Sequence, residues 1–359
     1  MLDRIIRSIP VLCYHDMGTP GGHNLETFKK HLATIKELGF QTITASHLYA
    51  ILTGQKKLDG KYIVLTFDDC HISNWVHTIP LLAKENMRGV FFTITDFIDE
   101  GPARDPNNIT KLDKLSDSFR KALRDKDYSQ FMNLGELKSA MQDFGMEIYA
   151  HSARHQGCFK NTKLVSTLSQ GGHWSIYGIY KEPRPEYPVF EIGSAYVYNG
   201  YWPVENVQGS TFKVQRSRFN VQNSTDDHFN LHQKGKIFQA GGMHFRPRSD
   251  EERYKFCLSD FKRSYETIRE INKSNLQLFC WPWGHYDKLS LTALKETGFA
   301  GAFSLERYYN GPGTDPFRIH RIGIGRKKDH KWLKTRLYMH ANALGSRIFF
   351  KFFRKKDHK

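Results

Sequence analysis

The strongest constraint on this chain is an alternation of short β-type runs with stretches of helical periodicity. The β-type runs fall at residues 9–14, 40–44, 62–67, 90–94, 146–150, 277–281 and 299–303. Between the first two, Asn24 can cap a helix in which Leu25, Phe28, Leu32, Ile35 and Leu38 recur at three- and four-residue steps before Gly39 ends it. Similar helical patterns cover 78–86, 134–144, 256–273 and 288–297. Strand and helix in alternation predict a parallel α/β sheet, and seven or more repeats predict a (β/α) barrel.

The alternation lapses twice, at 99–130 and at 156–247, and both stretches read as insertions in a domain spanning 1–325. The first is polar and charged. The second is rich in glycine and aromatics, including Trp174, Tyr177, Tyr180, Tyr196, Tyr198, Tyr201 and Trp202, so short strands and turns are expected there. Those rings could stack on sugar faces or form a small core of the insertion's own. No apolar run approaches the ~18 residues that span a bilayer, and the first ten residues lack a secretory pattern, so a cytoplasmic protein is expected. Five widely spaced cysteines without a C-x-x-C pair argue against a disulfide framework.

The net charge of +16 is concentrated at the end, where residues 326–359 carry twelve Lys/Arg against two Asp. A basic tail mixed with aromatics, on a body of ordinary charge, points to an electrostatic contact made by the tail and argues against a nucleic-acid-binding surface. An anionic membrane suits it, as does the alternative of a terminal helix packed on the barrel with a basic end.

Two motifs carry chemistry. Thr66-Phe67-Asp68-Asp69 places adjacent carboxylates directly after a β-run, where active sites of parallel α/β folds gather. His151-Ser-Ala-Arg-His155 follows another β-run, and two histidines four apart can share one metal ion. Either motif alone is weak evidence. Together, two histidines and one aspartate leave a divalent ion with open positions, a catalytic rather than a structural arrangement.

On these motifs the chain resembles the polysaccharide deacetylases of the NodB-homology group, carbohydrate esterase family four. Trp281-Pro-Trp-Gly284 with Tyr286-Asp287 is similar to that family's groove motif, and Gly311 to Pro316 with His320-Arg-Ile-Gly323 is similar to the domain end of members acting on bacterial exopolysaccharides. The resemblance runs from Ile9 to about Ile324. It implies a distorted seven-stranded barrel, Asp68 as general base, Asp69, His151 and His155 as ligands of a divalent metal with zinc first, and the backbone N–H of Trp283 as an oxyanion donor. Cobalt, nickel and iron suit the same ligands. Leu12-Cys-Tyr-His15 matches the opening strand of the exopolysaccharide members, which makes His15 the expected general acid. Trp281, Pro282, Tyr286 and Arg321 are the expected groove residues.

The chain departs from the family at three points. Cys70 follows Asp69 where a small residue is usual, so a thiol is expected beside the metal. Trp281 stands where many relatives carry an arginine that orients the base, so that role is either vacant or passes to another residue such as Arg321 or Arg154. The second insertion directly follows the metal histidines and is expected to overhang the site. His173, His228, His232 and His244 lie in that insertion as solvated or structural histidines rather than extra ligands. The expected reaction is hydrolysis of an N-acyl group, acetyl first, from an amino sugar during assembly of a bacterial surface polysaccharide such as O-antigen, on a polymeric, lipid-linked or nucleotide-linked substrate. The alternatives are a silent sugar-binding or scaffold protein at the membrane, and a deformylase or O-deacetylase.

Overall fold

The computed structural model describes residues 7–204 and 237–353. Seven parallel strands form a curled sheet, supporting the α/β barrel expected from the alternation. They are β1 (Val11–Tyr14), β3 (Tyr62–Asp69), β4 (Val90–Thr93), β5 (Glu147–Ala150), β11 (Leu278–Cys280), β12 (Gly301–Phe303) and β13 (Ile322–Gly323), in the spatial order β12-β11-β5-β4-β3-β1-β13. The two-residue strand β2 (Gln41–Thr42) pairs with the start of β3. The two edges, β12 and β13, do not pair with each other; a bridge from Phe303 to Ile319 and a hydrogen bond from Arg321 N–H to Glu306 C=O link that gap. The barrel is therefore distorted and partly open.

Strand alternation sorts the core into two layers. Val11, Val64, Val90, Phe92, Leu278, Cys280 and Phe303 fill the barrel interior. Leu12, Tyr14, Leu65, Phe67, Phe91, Ile148 and Phe279 face the surrounding helices. The helices follow the expected periodicity: Leu25–Glu37 starts on the Asn24 side chain, which accepts from Thr27 N–H, and buries Phe28, Leu32 and Ile35. The helix expected at 256–273 begins earlier, at Asp250, because Ser249 and Glu252 form a reciprocal cap.

Within 99–130 the chain forms a helix, Leu115–Asp125, which the residue pattern alone did not reveal. Its charged residues occupy the outer face, while Leu115, Ser118, Phe119 and Ala122 turn inward at helical spacing. Phe119 joins Ile94, Phe97 and Phe131 in a separate apolar cluster. Within 156–247 an antiparallel sheet forms from β6 (Gly157–Thr167), β7 (Pro188–Ser194), β8 (Tyr201–Val204), β9 (Phe238–Ala240) and β10 (Met243–Pro247). Phe159, Ile176, Tyr180, Phe190 and Phe245 make its core, with Tyr201 and Trp202 packed against it. Tyr196 instead belongs to the main core.

After β13 the helix His330–His340 packs on Leu25–Glu37 through Leu333 and Leu337, and Lys334 pairs with Glu37. The last described helix, Ala343–Phe353, begins beside the start of β1: Ala341 C=O accepts from Ser8 N–H, and Asn342 bridges Arg7. Among the described residues no helix is long and apolar enough to cross a membrane.

Candidate metal and catalytic centre

Asp68 and Asp69 end β3. Regular alternation would send neighbouring side chains to opposite faces, but the backbone turns left-handed at Asp69 (φ 71°) and Cys70 (φ 49°). As a result Asp69 Oδ1 lies 3.6 Å from His151 Nε2 and 3.9 Å from His155 Nε2, and Asp68 Oδ2 lies 4.0 Å from the same His151 nitrogen. Ser152 (φ 66°), His155 (φ 50°) and Trp283 (φ 64°) are also left-handed. Of the eight described non-glycine residues with positive φ, five therefore sit at or beside this cluster. Each such residue costs of order 1–3 kcal/mol, and backbone strain gathered in this way is characteristic of functional sites.

The donor set fits a divalent cation. Asp69, His151 and His155 each offer one donor atom, the three lie within 4.8 Å of one another, and all three side chains are buried. Asp69 Oδ1 has no hydrogen-bond partner, which a cation would supply. His151 Nδ1 lies 2.9 Å from Cys280 C=O, so its N–H is drawn to that side and Nε2 is left free to ligate. Burial, reinforced by the charge of Asp68, holds the Asp69 carboxyl well above the usual carboxylate range in the metal-free protein.

Asp68 is held differently. Arg321, wholly buried, donates Nη1 to Oδ1 at 2.6 Å and Nη2 to Oδ2 at 2.9 Å, and its Nε donates to Ser304 C=O. The thiols of Cys13 and Cys280 lie 3.5 and 3.6 Å from Oδ2. Burial alone would raise the Asp68 carboxyl, but the guanidinium outweighs it and holds Asp68 ionised far below the ordinary carboxylate range. His15, half-buried at the end of β1, completes a group with Cys13 and Asp68 whose donor atoms lie within 4.8 Å. Burial lowers the His15 imidazolium below its usual value, and the charge of Asp68 opposes this.

Several expectations need correction. Arg321 does not line a groove; it is buried and spends its fork on Asp68, the orienting role left between it and Arg154. Arg154 pairs with Asp260. Trp281 and Pro282 are buried as well, Trp281 being packed on Phe261, Phe279 and Tyr286, so neither offers a surface to substrate. Tyr286 and Trp283 are half-buried. The Cys70 backbone adjoins Asp69, but its thiol turns away from the ligand cluster into the outer core against Thr93, whereas Cys13 and Cys280 are the thiols at the site. His173 caps Ser175, and neither it nor His244 belongs to a ligand group among the described residues; His228 and His232 lie outside those residues.

Residue-pattern reasoning missed the support of the 151–156 turn. Asp260, fully buried on helix Asp250–Asn272, accepts Ala153 N–H at 3.0 Å through Oδ1 and Arg154 Nε at 3.2 Å through Oδ2. Tyr196 Oη lies 3.1 Å from Asp260 Oδ1 and 2.9 Å from Ser152 Oγ, and Ser152 Oγ accepts His155 N–H. The available signal was a carboxylate on an apolar stripe, with Asp260 in step with Cys257, Phe261, Ser264 and Ile268.

A parallel barrel thus carries a two-histidine, two-aspartate cluster at its strand ends, a donor set that could hold a divalent cation. Residues 55–171 match the polysaccharide deacetylase family. A 90-residue stretch is 32% identical to YxkH of Bacillus subtilis (strain 168), a relative named for polysaccharide deacetylation; the match spans 24% of this chain and about a third (32%) of that protein's length. Among solved structures, the fold is similar to a de-N-acetylase from Aggregatibacter actinomycetemcomitans, with TM-score 0.58, 16% identity, and coverage of 91% of this chain and 99% of that one. It is also similar to the deacetylase domain of BpsB from Bordetella bronchiseptica, with TM-score 0.55, 20% identity, and coverage of 88% and 96%. IcaB from Ammonifex degensii gives TM-score 0.54 at 16% identity, covering 92% and 97%.

Proposed function

We propose that this protein is a metal-dependent hydrolase that removes an N-acyl group, acetyl first, from an amino sugar in the assembly of a bacterial surface polysaccharide. The observation that carries this reading is the pairing of an unpartnered Asp69 oxygen with two imidazole nitrogens, beside an Asp68 held ionised by Arg321. Asp69, His151 and His155 would hold the ion, with zinc the first choice for this donor set. When bound, such an ion polarises the acyl carbonyl and makes water a nucleophile at neutral pH. Asp68 takes the proton of the attacking water, and Arg321 keeps its two oxygens in one orientation throughout. His15, within reach of Asp68, delivers a proton to the departing amine, which is a poor leaving group otherwise. The backbone N–H of Trp283 is the second donor to the oxyanion. A silent binding protein would have no use for a buried carboxylate cluster that is costly without its ion.

The test is release of acetate from N-acetylated amino-sugar oligomers by protein stripped of metal and reloaded with zinc. Activity that appears on reloading and is lost in Asp68→Asn supports the reading; no release from N-acetyl, N-formyl or O-acetyl substrates, loaded or not, would sink it.

We also infer a peripheral position on an anionic bilayer at the cytoplasmic face. On helix Ala343–Phe353, Leu344 and Ile348 are exposed one turn apart, flanked by exposed Arg347 and Lys351. That pattern suits the headgroup boundary of anionic lipid. All five cysteines are free, and two of them touch the proposed base, which suits a reducing compartment. The helix lies by the starts of the strands and the catalytic cluster by their ends. A docked protein would therefore turn its site away from the bilayer, toward a sugar extended from its anchor.

A further inference from the structure

The two histidines at the centre are held by different means. His151 has Cys280 C=O opposite its Nδ1, whereas His155 Nδ1 is buried with no hydrogen-bond partner. A ligand histidine ordinarily relies on such a partner to fix its ring. His155 is instead surrounded by rings: Phe119 at 5.6 Å, Trp174 at 5.5 Å and Trp283 at 5.7 Å between centroids. Phe119 and Trp174 stack on each other at 4.0 Å with planes 20° apart, and Trp174 stacks on Trp283 at 5.7 Å.

The cage is anchored on both sides. Phe119 packs on Phe97 and Phe131 in the cluster under helix Leu115–Asp125. Trp174 is followed by buried Ser175 and by Ile176 in the core of the antiparallel sheet. Arg120 Nη2 donates to Gly172 C=O at 3.2 Å, tying the two insertions together beside these rings. The stretches that interrupt the barrel pattern thus meet at one metal-ligand ring.

We propose that Phe119 and Trp174, one from each insertion, are positioning residues that fix the His155 imidazole for metal binding by aromatic packing in place of a hydrogen bond. The proposal rests on the reading of Asp69, His151 and His155 as metal ligands. Flat rings on several sides restrict tilt and rotation of an imidazole, and such contacts add to burial when geometry is specific. A side chain of similar apolar volume but no flat face would fill the space and leave the ring freer.

The test titrates metal-free protein with Co(II), following visible absorption and the dissociation constant, for the natural sequence, Trp174→Leu and Trp174→Phe. Leu keeps apolar bulk and Phe keeps a stacking face, and far-ultraviolet circular dichroism checks that each variant folds. Loss of an orienting partner typically weakens metal affinity about 10–100-fold. The expected result is a Kd raised about tenfold or more in Trp174→Leu and restored to within about threefold of natural in Trp174→Phe. Equal affinity in natural and Leu variants, or equal weakening by Leu and Phe, overturns the proposal while leaving the metal site intact. If Trp174→Leu does not fold, Phe119→Leu against Phe119→Tyr applies the same comparison from the other side of the cage. A natural protein that takes up no Co(II) overturns both this proposal and the metal reading beneath it.

Discussion

Arg321 reaches across 253 residues of chain to grip Asp68 with two parallel hydrogen bonds inside the barrel. The guanidinium has no exposed surface and Asp68 very little, so removing either member leaves the other buried without its partner. Breaking a buried pair of this kind costs about 3–5 kcal/mol, whereas replacing both members with apolar groups is often neutral or better. Arg321→Met is therefore expected to lower stability by about that amount in urea unfolding, and Arg321→Met with Asp68→Leu to recover most of it. Activity separates the roles, since the double variant should be folded and inactive.

The same pair sets an acid limit. With the guanidinium present, Asp68 stays ionised far below the ordinary carboxylate range; without it, burial is opposed only by the weaker pull of His151 and His15 and the carboxyl moves up. The acid limb of kcat/KM in Arg321→Lys, which keeps the charge but loses the fork, should shift to higher pH by about one unit or more, each unit being about 1.4 kcal/mol. An unshifted limb would show that Asp68 is not the group being titrated.

Asp69 should trade stability for function. In the metal-free protein its carboxyl is raised by burial and by Asp68, while in the unfolded chain it ionises normally near pH 4. A raised carboxyl favours folding only while protonated, so its cost grows as pH rises above the unfolded value. Asp69→Asn removes that cost. The expected outcome at pH 7 is a metal-free variant at least about 1 kcal/mol more stable than the metal-free natural protein, with no zinc by elemental analysis. The metal-loaded natural protein should melt above both, and chelation should return it to the lower value.

Much of this centre was legible in the residue order, because strand ends are marked by short apolar runs and the carboxylate and histidine motifs follow them directly. What was not legible depends on which face a residue takes. His320-Arg321 reads equally well as a groove motif or as an interior pair; only the placement of β13 beside β1, itself beside β3, turns Arg321 toward Asp68. Trp281 looks like a sugar platform until β11 is seen to carry it under helix Asp250–Asn272, against Phe261 and Phe279. Phe119 was hidden among charged neighbours, and Trp174 was one ring among seven until the sheet in 156–247 placed it over His155. The contact between the two insertions spans more than fifty residues, beyond any local periodicity.

His340 offers a pH test of how the C-terminal helices dock. It is buried against Phe349, neither ring nitrogen has a partner, and burial with Arg336 and Arg307 nearby holds its pKa down to about 4. The unfolded chain takes up this proton near pH 6.5 and the folded one does not, so stability is lost as pH falls from 6.5 toward 4. Its share is up to about 3 kcal/mol. His340→Leu should narrow the gap between unfolding free energies measured at pH 7.5 and pH 5; an unchanged gap would mean that the helix admits water at this ring.

The terminal helix makes the last prediction. If Leu344 and Ile348 enter the headgroup boundary while Arg347 and Lys351 hold anionic lipid, binding needs both apolar burial and charge. Each basic residue near an anionic surface contributes about 1 kcal/mol at physiological ionic strength, and burial of each aliphatic side chain about 1.5–3 kcal/mol at most. The natural protein should sediment with vesicles of phosphatidylglycerol and phosphatidylethanolamine, and release as salt is raised. Leu344→Glu with Ile348→Glu should abolish sedimentation and leave the proposed deacetylation of a soluble oligomer unchanged, because the helix sits at the strand-start end of the barrel and the candidate site at the other. Equal sedimentation of natural and variant chains, or binding to neutral phosphatidylcholine vesicles alone, would rule out docking by this face.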